Sequence, residues 1–538
     1  MGTLYWWFTL KRVKVAFGFI KKARIDYFMS NQTSENNKRI AKNTLFLYLR
    51  MFLMMAISLF TSRIILSTLG VSDYGIYNVV GGVVAMFGLL SGSITNSITR
   101  FLTFELGKKD YTQLQKVFST SLNVMFVLSF VIVVIGEIVG IWFLNYKMNI
   151  PEGRMEAANW AFQCSLMTFV MNLISIPYNS TIVAHEKMSA FAYISIFEVV
   201  IKLLIVYSLY VSPFDKLKSY VVLLLMLSFV IRFIYGFYCK RHFMEATYHF
   251  VYDKVLLKKM TGFAGWNFFG QGAYMMNNEG VNIVINLFFG VTVNAARGIA
   301  MQVNNAVNQF VTNFMMALNP QITKNYASGE LEEMHKLVYR GAKFSYFLML
   351  FFLIPICLET EMILHLWLNV VPDYSVAFVR WTLVITTMGM LSNTLITALH
   401  ATGNIKKYMI VVGIVEISNF PLTYLMFKMG FNPLAAYYVY FAVYLVLMFL
   451  RLFLIKNLIR MKAKAYMQEV YLKVLLVTFA SLIAPSIIYL LQPDSILRFI
   501  EICIVSSIST LFMVFYLGIT PNEREAMICF IKSKINNK

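Results

Sequence analysis

The stretch Asn267-Phe268-Phe269-Gly270-Gln271-Gly272-Ala273-Tyr274-Met275-Met276-Asn277-Asn278-Glu279-Gly280-Val281-Asn282-Ile283-Val284-Ile285-Asn286 has the length of a membrane helix and too many amides for lipid. It is the first arm of a hairpin over 262–319 that is apolar by composition yet carries fourteen Asn and Gln side chains. At about 100° per residue, Asn267, Gln271, Tyr274, Asn278, Asn282 and Asn286 fall within roughly a third of the helix circumference. On the second arm Arg297, Asn304, Asn308, Thr312 and Asn319 share a similar arc, with Gln302, Gln309 and Asn313 beside it. Amides and a guanidinium persist at membrane depth where they pair, face the protein interior or line water, so the hairpin reads as the wall of a hydrated cavity. Hydrogen bonding between helices is the competing explanation, and it accounts for two or three amides more readily than for fourteen.

The rest of the chain has the same character. Its 538 residues are 59% hydrophobic and 14% charged, with a mean hydropathy of +0.66, a balance that no water-soluble globule needs. Dividing it into apolar runs of about 20 residues predicts an all-α integral membrane protein of about fourteen transmembrane helices. The formal net charge of +21 does not imply a nucleic-acid partner, because Lys and Arg gather in alternate connections. Under the positive-inside rule that pattern puts both termini in the cytoplasm. Five cysteines and six histidines are scattered without paired or ligand-like spacing, so no disulfide framework, metal site or cofactor is indicated. Nor is there a phosphate loop, a nucleophile elbow or a pair of catalytic carboxylates. The connections on the less basic side are short, which argues against a membrane glycosyltransferase or polymerase.

The expected organisation is a basic cytoplasmic segment over 1–42, a lobe of helices 1–6 over 43–238, and a basic linker over 239–260. A second lobe of helices 7–12 over 261–460, helices 13–14 over 461–519 and a tail over 520–538 follow. The polar, basic lead-in after Met29 suggests Met29 as the natural start. Two lobes are expected because the chain repeats. Phe289-Gly290-Val291 answers Leu69-Gly70-Val71, Tyr326-Ala327-Ser328-Gly329-Glu330 answers Phe104-Glu105-Leu106-Gly107-Lys108, and Thr402-Gly403-Asn404-Ile405-Lys406 answers Ala184-His185-Glu186-Lys187-Met188. With six crossings per copy, the two are parallel repeats.

The turn Leu69-Gly70-Val71-Ser72-Asp73-Tyr74-Gly75-Ile76-Tyr77, the segment Phe104-Glu105-Leu106-Gly107-Lys108-Lys109-Asp110 and the six-plus-six-plus-two layout resemble the polysaccharide flippases of the multidrug/oligosaccharidyl-lipid/polysaccharide exporter superfamily, the Wzx-like O-antigen and capsule transporters. The resemblance runs roughly from Asn43 to Tyr516. It implies a V-shaped pair of six-helix bundles working by alternating access in a bacterial inner membrane. The implied substrate is a polyprenyl-pyrophosphate-linked oligosaccharide, and the implied partners are membrane lipids, a polysaccharide polymerase and assembly proteins. The alternative within the superfamily is a cation-coupled multidrug exporter, with H+ or Na+ as the coupling ion.

Embedded charge favours the anionic substrate. Arg63 on helix 1 and Arg297 on helix 8 suit a pyrophosphate through their guanidinium forks, and Asn267, Gln271, Asn278, Asn282, Asn304 and Asn308 suit sugar hydroxyls. Arg63 reaches either the outer interface or the cavity, and Arg297 has Glu279 as an alternative, structural partner. Glu137, Glu198, Glu279 and Glu416 lie inside expected spans. Of these, Glu416, Glu198 and Glu279 are the candidates for ion coupling. Glu198 has Lys202 one turn on to neutralise it, whereas Glu416 has no such lysine and has Asn419 and Pro421 nearby.

Overall fold

The computed structural model describes residues 39–521, 523–525 and 528, apart from 59–60, 62–63, 66, scattered positions between 71 and 86, 147–149, 151–152 and 369–370. Residues 1–38, and with them the expected start at Met29, lie outside the described residues, as does Arg63.

The described chain is helical. The first lobe holds α1 (Arg39–Ser58), α2 (Gly88–Lys108), α3 (Tyr111–Tyr146), α4 (Met155–Ala184), α5 (Met188–Ser208) and α6 (Lys216–His242). The second begins with a single helical run, Lys254–Ala327, bent sharply at Gly290. Gly290 has φ 79° and ψ −174°, a conformation that residues with a Cβ rarely adopt, and it divides the run into α7 (254–289) and α8 (291–327). Then come α9 (Leu331–Leu358), a short helix (Thr360–Trp367), α10 (Ser375–Thr402), α11 (Lys406–Lys428) and α12 (Ala435–Lys456). The remaining pair is α13 (Ala463–Leu491) and α14 (Ile496–Gly518).

Eleven of these helices are long and apolar enough to cross a membrane by length and composition. Those outside the eleven include α2 and the α7–α8 hairpin, whose Ser, Thr, Asn and Gln lower their hydropathy. They are the helices that face each other between the lobes, so they need lipid least.

The lobes repeat one pattern in atomic detail. In the first, Thr99 of α2 donates to Ser180 Oγ of α4 at 2.9 Å; in the second, Thr397 of α10 donates to Asn319 Oδ1 of α8 at 2.9 Å. The connection between lobes spans 243–253, since α6 continues to His242 and α7 starts at Lys254. It is strapped along α3, where Gln115 donates to Thr247 Oγ1, Tyr248 to Asn123 Oδ1, and Asn123 Nδ2 to the Val251 carbonyl. These side chains satisfy backbone and linker groups that would otherwise need water.

The last two helices are pinned to α9. Arg498 makes a two-pronged pair with buried Glu359, at 2.7 and 3.0 Å. Buried Lys343 donates to the Gly518 carbonyl at 3.2 Å. On the less basic side of the first lobe, Arg154 joins Asp73 to Asp215, the latter at 2.5 Å. Burial alone would raise the Asp215 carboxyl, but hydrogen bonds from Arg154 and from the Lys218 N–H outweigh it and hold the group below the usual carboxylate range.

Candidate functional site

The hairpin turns part of its amides inward on the second lobe: Asn267, Asn277, Asn304 and Asn313 are buried, whereas Asn286, Gln302, Asn305 and Gln309 are exposed. Arg297 is 6% exposed, and its Nη2 donates to Asn278 twice, to the backbone oxygen at 3.0 Å and to Oδ1 at 2.7 Å. The alternative partner, Glu279, is exposed, because the next residue on a helix points about 100° away. One step round α7, Asn277 accepts from Asn419 of α11 at 2.7 Å. Behind them Arg451 of α12 pairs with Glu416 of α11 at 2.5 Å, both buried. Tyr444 lies 5.6 Å from the Arg451 guanidinium and shares a hydrogen bond with Tyr440. The polar interior beside the hairpin thus carries two guanidinium groups, Arg297 and Arg451, beside the carboxylate of Glu416.

Several buried polar atoms here have no protein partner: Asn267 Nδ2, Asn277 Nδ2, Asn304 Oδ1 and Arg451 Nε. A dry interior would charge about 1–3 kcal/mol for each, so these positions, spread along the helices of the lobe, fit contact with water or a ligand. Its chemistry is hydrogen bonding and charge; among the described residues no group of His, Cys, Asp and Glu has metal-holding geometry.

The expected residues therefore separate. Asn278 and Arg297 meet directly, with Asn277 and Asn419 in the next layer. Asn267 and Asn304 are buried, whereas Asn282 and Asn308 are half-buried. Gln271 points across to the first lobe, its Oε1 within 3.4 Å of where a Cβ on Gly92 would sit. Glu198 is paired with Lys202 at 2.6 Å, so its charge is met locally. Glu416 has no lysine one turn away, as expected, and its basic partner is Arg451, brought by α12 and invisible to a search for neighbours along the same helix. Arg451 could have been found as an arginine placed one turn inside the very apolar α12.

The lobes meet at the end that carries the basic connections. Gly107 of α2 lies against α8, where a Cβ would come within 2.7 Å of Ala327 Cβ and 2.8 Å of the Lys324 oxygen. Phe104 faces Tyr326 with ring centroids 6.5 Å apart, and Ser97 donates to the Met260 carbonyl at 3.0 Å. Glu186, in the α4–α5 turn, receives Lys324 and Gln321 of α8, each at 2.5 Å, and Arg39 of α1 at 2.9 Å. Its own carbonyl accepts from Asn43 at 3.1 Å. Arg100 of α2 donates to the carbonyls of His400 at 3.1 Å and Ala401 at 2.8 Å, at the end of α10. An apolar cavity of about 240 Å³ lies between α2, α3 and α7 just inside this seam.

The family model described as MatE matches the chain twice, over 47–208 and 267–425, one match in each lobe. No curated protein sequence matches it. Solved structures similar to it include an outward-facing multidrug resistance MATE family transporter of the MOP superfamily, at 13% identity and TM-score 0.63, covering 80% of this chain and 97% of that one. The MATE transporter ClbM in complex with Rb+ is 13% identical at TM-score 0.66, covering 78% and 96%. A MOP superfamily transporter from Pyrococcus furiosus, described as having a binding pocket of reverse polarity, is 14% identical at TM-score 0.63, covering 79% and 96%.

Proposed function

From the premise that this chain belongs to the MatE family of membrane transporters, we propose that it exports an amphiphilic solute by alternating access, with movement of the lobes coupled to a cation. The observation that carries this reading is the polar, charged interior of the second lobe, walled by α7 and α8 beside a seam closed at the basic end. The cation-coupled multidrug exporter fits the solved neighbours better than the lipid-linked flippase that the sequence favoured, since those neighbours include a multidrug resistance transporter and a transporter holding Rb+. The proposed orientation puts the basic end in the cytoplasm of a bacterial cell, so the interior opens outward.

Glu416 is the proposed coupling group. A proton or cation arriving at its carboxylate competes with Arg451, and loss of that pair frees α12 from α11. Glu198, already neutralised, and exposed Glu279 rank behind it.

The test is gradient-driven movement of a fluorescent cationic dye in proteoliposomes. Transport should follow an imposed proton or sodium gradient. Glu416→Gln alone orphans Arg451, which costs about 3–5 kcal/mol for a broken buried pair, so the informative variant is Glu416→Gln with Arg451→Met. This double variant should keep its melting temperature and lose gradient dependence. If the unaltered protein moves no dye but translocates a polyprenyl-pyrophosphate-linked oligosaccharide, the flippase is the function. That second reading has one observation of its own: Arg297 and Arg451 outnumber Glu416 in the interior, a polarity suited to an anionic headgroup.

A further inference from the structure

Two contacts at the basic end stand in repeat-related places. In one, the end of α8 grips the α4–α5 turn of the other lobe, through Lys324 and Gln321 on Glu186. In the other, α2, the repeat counterpart of α8, grips the end of α10 ahead of the α10–α11 turn, through Arg100 on the His400 and Ala401 carbonyls. The two turns are themselves counterparts, Ala184–Met188 and Thr402–Lys406. Their chemistry differs. The first arm is a buried carboxylate among two cations, with Glu186 only 3% exposed and held at a positive φ of 59°. The second is a guanidinium against the carbonyls of a helix C-terminus, where the helix dipole adds to the attraction, with Phe101 and Phe104 at 4.5 and 4.6 Å from the guanidinium carbon.

We propose that Glu186 and Arg100 are the two arms of a latch that holds the lobes together at the basic end, each arm reaching from one lobe to the other about the repeat axis. This rests on the alternating-access reading and names the contacts that set its closed state. Both arms must break for the lobes to part there, and neither touches the polar interior of the second lobe. An arm therefore sets the population of the closed state without contributing to ligand recognition. Arg39 and Asn43 tie the first arm to α1 as well, so release of Glu186 frees the start of the chain along with the α4–α5 turn.

Hydrogen exchange followed by mass spectrometry on the full protein in nanodiscs tests the latch without a substrate. Glu186→Gln keeps the shape and the Gln321 contact while removing the charge pairs. It should speed exchange about tenfold, equal to 1.4 kcal/mol, both at 184–188 and at the distant arm over 400–406. Lys324→Gln should reproduce this, and combining the two should add little, because they break one contact. Adding Arg100→Gln to Glu186→Gln should multiply the effect. Faster exchange confined to 184–188 would make Glu186 a local fastener and overturn the proposal, and so would no change in either segment. Failure of dye transport in the unaltered protein would instead count against the exporter reading, leaving the exchange result to stand on its own.

Discussion

Asn278 gives Arg297 both its backbone carbonyl and its side-chain oxygen, so this guanidinium is oriented by neutral groups and keeps its charge for whatever enters. That arrangement offers a substitution that separates the two substrate classes. Asn278→Asp leaves the geometry in place and turns a neutral hydrogen bond into a charge-assisted one, which is roughly twice as strong. Thermal stability should rise, and export of a cationic dye should be kept or improved, because the wall loses net positive charge. A variant that is more stable yet inactive would show that the charge of Arg297 is needed, and would return the site to an anionic substrate. At this scale the sequence was half legible. Helical phase alone placed Asn278 and Arg297 each on the polar arc of its own arm of the hairpin, without pairing them, and the partner it offered for Arg297 was Glu279. Arg451 was not legible as the partner of Glu416, because the two meet only when α11 and α12 pack. Glu186 and Arg100 were unreadable for the same reason, since Lys324 and Gln321 for the one, and the His400 and Ala401 carbonyls for the other, lie on the opposite lobe.

At the scale of the helix, the same amides that marked the α7–α8 hairpin also remove it from the set that passes on apolarity. Period and composition gave different answers there, and the period located the element that lines the interior. The ends of the helices were less legible. Cross-lobe packing is set by close approach, and nothing in the local sequence says which of the 27 glycines faces a neighbouring backbone. Gly107 does: a methyl group there would press on Ala327 and on the main chain of Lys324, and main chain cannot swing aside. Gly107→Ala should therefore cost about 1–3 kcal/mol as overpacking in the closed state, and bias the lobes apart at the basic end. Gly262→Ala is the control, because a Cβ there meets nothing within 4 Å. Its effect should be neutral or slightly stabilising, since alanine is the better helix former by about 1 kcal/mol. The comparison is made by melting temperature and by exchange over 97–108. Equal behaviour of the two variants would mean that α2 and α8 do not meet closely in the membrane.

For the molecule as a whole, the strongest inference from sequence is the one that depends least on side-chain detail, namely the duplication. Two lobes with matching internal bonds, and a family match that falls once on each, follow from a repeat visible in three short segments. Parallel repeats need an even number of crossings in each, so the turns at 108–111, 185–188, 327–331 and 403–406 share one face, with the interlobe connection 243–253. The turn at Gly290 and the turn at 371–374 that leads into α10 lie on the other. The distribution of Lys and Arg then predicts which face is cytoplasmic, and this prediction is independent of substrate, coupling and latch. Single cysteines at Glu330 and Asp373, both exposed, test it against unmodified protein as the background for the native thiols, of which Cys164 and Cys239 are buried. In intact cells a membrane-impermeant maleimide should label the cysteine at 373 and leave the one at 330 unlabelled until the membrane is broken. Labelling of 330 from outside, with 373 protected, would invert the molecule and put the closed seam at the outer surface. Labelling of both from outside would mean that an odd number of crossings separates 330 from 373 only in appearance, and would break the parallel-repeat topology on which the two-armed latch depends.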